Sequence, residues 1–181
     1  MAYNRPATDT PQGFHPYGNP LRARRYRTDG AAAAIYPNDL VGQMADGCVE
    51  TITSVTASMI LGAAAEYVAA SGTGGVLVYD DPEQEFIVQD DSDTTGMTAL
   101  SEGLVIAPIL TTGNTTTLRS RQEIDSSSAA AAPTAAVGHS LRVIRLAELE
   151  SESYATTTAQ QRKWIVKVLP YWHQLATTSG I

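Results

Sequence analysis

The feature that most constrains this chain is the shortness of its apolar runs. From Ile35 onward they are brief, rich in Val, Ile, Leu and Thr, and closed by Gly, Pro, Asn or Asp. Pro37-Asn38-Asp39 leads into Leu40-Val41, and Asp46-Gly47 leads into residues 48–52. Residues 60–68 follow, with Gly62 marking a bulge or a close approach of two backbones. After the turn at residues 72–75, Val76-Leu77-Val78-Tyr79 and Phe86-Ile87-Val88-Gln89 flank the acidic turn Asp80-Asp81-Pro82-Glu83. Two β-rich runs around a proline turn predict a hairpin, and their apolar character on both faces predicts cover on both sides. Further runs lie at 104–110, 115–124, 141–146 and 164–169. This spacing, with no sustained helical period, predicts an all-β fold: a compact β-barrel or sandwich of short antiparallel strands.

Composition agrees. There are twenty-one Thr and twenty-six Ala against two Lys. Thr suits a pleated surface because its branched Cβ packs there, and a surface poor in Lys loses less side-chain entropy when a partner covers it. Residues 126–137 (SSSAAAAPTAAV) read as a low-complexity Ser/Ala loop broken by Pro133, and residues 151–162 as a polar connector.

Residues 1–30 differ from the body at 31–181. Pro6, Pro11, Pro16 and Pro20, with Gly13 and Gly18 between them, exclude a helix or a central strand. Phe14, Tyr17 and Tyr26 punctuate the segment, which favours an extended arm docked on a surface over plain disorder. Charge divides the chain in the same way. Residues 1–27 sum to +4, residues 28–118 carry thirteen acids and no Lys or Arg, and residues 119–181 sum to +2, giving −7. Segregation of this kind bears on partners and solubility, not on fold.

The arm ends in Arg22-Ala23-Arg24-Arg25-Tyr26-Arg27. Basic residues around an aromatic can hold nucleic-acid phosphate and stack a base. Against that, four arginines are few and the rest of the chain is acidic. The favoured reading is a latch in which Arg22, Arg24, Arg25, Tyr26 and Arg27, with Phe14 and Tyr17, fasten the arm to an acidic neighbouring surface. No nucleic-acid partner is expected.

At 181 residues the chain suffices for one domain with appendages. No apolar run approaches a membrane span, and the weakly polar stretch 59–70 is broken by Gly62 and Glu66. The N-terminus has no apolar core, so a secretory signal is not expected. Cys48 stands alone, which excludes an internal disulfide and fits a small buried residue. His15, His139 and His173 have no ligand-spaced partners, and there is no phosphate loop, nucleophile elbow or HExxH. Neither an enzyme nor a cofactor is expected. Asp91, Asp93 and Gly96, followed by Glu102, match part of a calcium-loop spacing. Thr95 and Thr98 depart from it, and the flanks read as strands, so an acidic turn is the default.

The body resembles the capsid decoration (cement) proteins of tailed bacteriophages. The matching pieces are Tyr36-Pro37-Asn38-Asp39-Leu40-Val41 ahead of Asp46-Gly47-Cys48-Val49, residues 78–89, residues 141–146, and residues 164–169 after a polar excursion. The similarity spans most of residues 14–173 as a pattern of strands and turns. It implies a β-rich structural protein on the outer capsid surface of the virion, made in the host cytoplasm. It implies bridging of capsomers of the major capsid protein, a homotrimeric state, and no catalytic residues. Residues 169–172 depart from the pattern. A receptor- or carbohydrate-binding component of head or tail is the alternative, with 126–137 as its exposed loop. A β-rich nucleotide hydrolase with a site between subunits is a third.

Overall fold

The computed structural model describes residues 10–30, 33–55, 58–91, 97–134, 137–147 and 161–176. These residues form an all-β molecule of short strands joined by loops and brief 3-10 turns. The strands are β1 (His15–Pro16), β2 (Arg24–Tyr26), β3 (Leu40–Gln43), β4 (Val49–Thr51), β5 (Gly62–Ala64) and β6 (Val76–Tyr79). They continue as β7 (Glu85–Gln89), β8 (Val105–Ile106), β9 (Pro108–Ile109), β10 (Glu123–Ile124), β11 (Leu141–Leu146) and β12 (Lys163–Val168). Sheet one has the order β1-β7-β12-β11-β8, sheet two the order β2-β6-β5-β3-β4, and β9 pairs with β10. Every ladder is antiparallel.

Alternation along the strands builds the core. Phe86 and Val88 of β7, Trp164, Val166 and Val168 of β12, and Leu141, Val143 and Leu146 of β11 share one cluster with Phe14, Leu40, Ile52 and Ala63. Strict alternation would send Arg145 inward and Leu146 outward. A register shift between Val143 and Arg145 absorbs Ile144 as an extra residue, so that Arg145 pairs with Ile165 and Leu146 with Trp164. The bulge keeps the leucine in the core and the arginine out of it.

Sheet two is covered on both faces. Leu40 and Ala63 belong to the main cluster, while their neighbours Val41 and Ala64 join Ile35, Val49, Leu61, Val76 and Val78 in a second one. Close packing requires small residues, and a Cβ on Gly62 would meet Tyr79 O at 1.9 Å, so the glycine is a close-approach point. Past β2 the chain crosses to the far edge of the sheet. Val49 N donates to Arg27 O at 2.8 Å, and Thr28 bridges Val49. The sheet thus curls toward closure around the second cluster.

Three expectations are revised. Val76–Tyr79 and Glu85–Gln89 do not pair with each other, because β6 lies in sheet two and β7 in sheet one. The Asp80–Gln84 turn is a corner between sheets, and the partners of β6 and β7 are β2 and β1. It follows that residues 10–30 dock on the body of their own chain and not on a neighbouring surface. They run antiparallel to the β6–β7 segment, supply an edge strand to each sheet, and bury Phe14 completely. Finally, only Glu123–Ile124 of the 115–124 run is strand. The Asn114 carboxamide accepts from Thr116 N and Thr117 N, and Asn114 bridges Arg119, so a local turn replaces the ladder. The Ser/Ala loop opens with a 3-10 turn, Ser126–Ser128, and Ala130 pairs with Val105 to cover the outer edge of β8. The polar connector 151–162 lies outside the described residues except for Gln161 and Arg162.

Candidate functional site

The basic cluster meets its partners within the same chain. At the corner where β6 leaves sheet two, the Asp80 side chain is fully buried. Arg22 Nε donates to its Oδ1 at 2.8 Å and Arg24 Nε to its Oδ2 at 2.6 Å. The Tyr26 hydroxyl also donates to Oδ2, and Arg22 Nη2 donates to the Asp80 carbonyl at 2.8 Å. Strand alternation explains the convergence: Arg24 and Tyr26 lie on one side of β2, opposite Val78 and Val76 of β6. Burial pushes the Asp80 carboxyl up. The hydrogen bonds from Tyr26, Arg22 and Arg24 outweigh it and leave the group below the usual carboxylate range. The Tyr26 phenol is pushed up to about 12, by burial first and then by its bond to Asp80.

The other candidates from the segment are also engaged. Arg25 Nη1 lies 2.8 Å from Glu66 Oε1, which accepts from Leu77 N as well. Arg27 Nε approaches the sulfur of buried Cys48 at 3.4 Å. Phe14 packs edge-on against Phe86, with ring centroids 6.5 Å apart. The Tyr17 hydroxyl accepts from Arg145 Nη2 at 2.7 Å, and the Arg145 guanidinium lies 5.5 Å from the ring centroid. Gln84 completes the seam by accepting from Leu21 N and donating to Tyr17 O. The sequence identified the carboxylate chemistry that arginine seeks. It did not identify Asp80 and Glu66, whose only signal is that both belong to the stretch devoid of cations.

Further buried polar groups tie segments together. Asp90 Oδ1 accepts from Arg162 N and Oδ2 from Trp164 Nε1 at 3.1 Å, pinning the start of β12 to the end of β7. Burial nevertheless raises this carboxyl to about 7, against the pull of Trp164 and the Arg162 amide. Asp39 Oδ2 accepts from Tyr36 N at 2.9 Å, and burial raises it to about 6. His139 Nδ1 accepts from Thr134 N at 2.9 Å, which leaves Nε2 to donate to Ser128 O at 2.7 Å and hold the Ser/Ala loop. His173 is buried and pushed down to about 4, chiefly by that burial, and its Nδ1 accepts from Leu175 N. His15 Nε2 lies 3.1 Å from the Asn38 amide nitrogen. Burial lowers this histidine, helped by Lys163 and Arg119.

The calcium-like spacing divides between different neighbours. Asp91 Oδ1 accepts from Ser126 N at 3.1 Å and from its hydroxyl at 2.6 Å. Glu102 Oε1 accepts from Leu146 N at 3.2 Å. Asp93 lies outside the described residues. Among the described residues no three His, Cys, Asp or Glu side chains are grouped to hold a metal, and no helix is long and apolar enough to cross a membrane. Comparisons with protein-family models, with curated proteins and with solved structures gave no match. The described residues define a class, an all-β protein braced internally by buried polar ties.

Proposed function

We propose that this protein decorates and stabilises the outer surface of a tailed-phage capsid by bridging neighbouring capsomers. The observation that carries the reading is the use made of the buried ionisable groups. Asp80 joins the N-terminal segment to the corner between sheets, Asp90 joins β7 to β12, and His139 joins Ser128 to Thr134. These groups brace the block against deformation, which suits a part whose task is to hold its neighbours in place. The strand pattern resembling decoration proteins supports the same reading. On this view the partners are the major capsid protein and two further copies in a homotrimer, with no nucleic acid and no cofactor. An acidic body keeps particles mutually repulsive and soluble.

The test is co-sedimentation with expanded shells of the matching major capsid protein at physiological salt. The protein is expected in the pellet, and its retention in the supernatant refutes the role. One feature favours the carbohydrate-binding alternative. Tyr171 is 77% exposed, with the Trp172 ring edge-on at 5.6 Å, an aromatic surface on which a sugar can stack. A glycan array showing no saturable binding disposes of that alternative.

A further inference from the structure

We propose that the outward face of sheet one docks this protein onto an acidic protein surface of the shell, an assignment that rests on the decorating role above. Because Trp164, Val166 and Val168 point into the core, Lys163, Ile165 and Lys167 take the other face of β12. On β11, Arg142 is exposed, and the bulge returns Arg145 to the same face, beside Ile165. Four of the seven cations that follow residue 118 therefore share one sheet face. From β7 the face receives Glu85 opposite Lys167, and Glu83 on the adjoining corner bonds the Lys167 ammonium. The face continues into a groove of about 280 Å³ whose lining includes His15, Gln12, Ile87 and Lys163 and, among the described residues, no carboxylate. On a chain of net charge −7, the face thus sets four cations against Glu83 and Glu85.

The register adds a second argument. Arg142 stands directly opposite Lys167. Like charges facing each other across a ladder destabilise it. Glu83 already bonds Lys167, which leaves the exposed Arg142 guanidinium as the member of the pair that a partner's carboxylate can meet. The occupant is a protein surface and not nucleic acid. Half-buried Ile87 and Ile144 interleave the cations, and the Tyr17 ring, which could stack a base, is already covered by Arg145. Mixed polarity of this kind matches a protein interface.

The test uses R142E/K163E, with R142E alone as the variant least able to disturb folding. In R142E a Glu–Lys pair replaces an Arg–Lys pair, so its thermal midpoint is expected to equal or exceed that of wild type. Co-sedimentation of R142E/K163E with expanded shells is expected to weaken about tenfold, and R142E to weaken in the same direction. If wild type pellets and both variants pellet equally well, the face is wrong and the decorating role stands. If wild type fails to pellet, the role falls, and fluorescence anisotropy with labelled poly-L-glutamate judges the face by itself. Binding lost in R142E supports it, and equal binding overturns it. A labelled DNA duplex bound more tightly than poly-L-glutamate through the same residues overturns the choice of occupant.

Discussion

Asp80 shows how one buried carboxylate can organise two distant stretches of chain. It has no exposed surface, while Arg22 and Arg24 keep 38% and 52% of their side chains in solvent. Their exposure limits what each ion pair contributes, so the larger effect of removing the charge comes from leaving two guanidinium groups and a phenol to compete for one neutral amide oxygen, with an NH2 group facing them in place of the other. Asp80→Asn is expected to lower stability by about 2 kcal/mol in urea unfolding, and Tyr26→Phe by about 1 kcal/mol. Asp90 makes a prediction of opposite sign in pH. Its ordinary value is 3.8, and burial raises it to about 7 in the folded protein. Below 3.8 both states are protonated, and between there and about 7 only the unfolded chain ionises. Its contribution to stability therefore falls as pH rises through that window and levels off above it. His173, lowered to about 4, works in the other direction from 6.5 downward, so the informative quantity is a difference. Asp90→Asn should lose stability less steeply than wild type between pH 4 and pH 7, when urea midpoints are compared along a pH series. Identical slopes would show that Asp90 ionises normally.

At the level of strands, the sequence revealed most of what exists and less of what pairs. The runs at 40–41, 48–52, 76–79, 86–89, 104–110 and 141–146 all contain strands, because turn residues bound them and β-branched residues fill them. The pairing of β6 with β7 was misread for a physical reason. Asp-Asp-Pro-Glu turns the chain equally well within one sheet or between two, and the choice depends on β1 and β2, which pack in from the far end of the sequence. Neither the bulge in β11 nor the Asp80 seat can be read locally, since both depend on partners remote in the chain. Gly62 was legible, because a lone glycine among apolar residues of a strand signals crowding. Gly62→Ala sets a methyl against Tyr79 O, and β5 must part from β6 to admit it. The expected loss is about 2–3 kcal/mol, measured as a shift in thermal midpoint with Val41, Ala63 and Tyr79 amides exchanging faster.

Across the whole molecule, the N-terminal segment is the largest departure from expectation. Its prolines and charges resemble those of a tether, yet Phe14 sits in the main core and β1 and β2 close an edge of each sheet. Pro16 is tolerated because β1 is an edge strand, where a missing N–H goes unneeded. Removing residues 1–28 is expected to abolish cooperative unfolding, and Phe14→Ala alone to cost about 3–5 kcal/mol. A truncated chain that still melts cooperatively near the wild-type midpoint would show that the segment is dispensable.

The ladder that begins at His15 carries a consequence for synthesis. His15 pairs with Ile87, and Ile87 pairs in turn with Ile165. β1 must wait for β7, and β7 lacks its second neighbour until β12 has been made. Contacts so remote in sequence are slow to form because loop-closure entropy is lost before they are gained. Sheet one should therefore assemble only once β12 is available to it. A chain that lacks β12 should remain sensitive to protease, and slow refolding should set the pace at which folded copies become available.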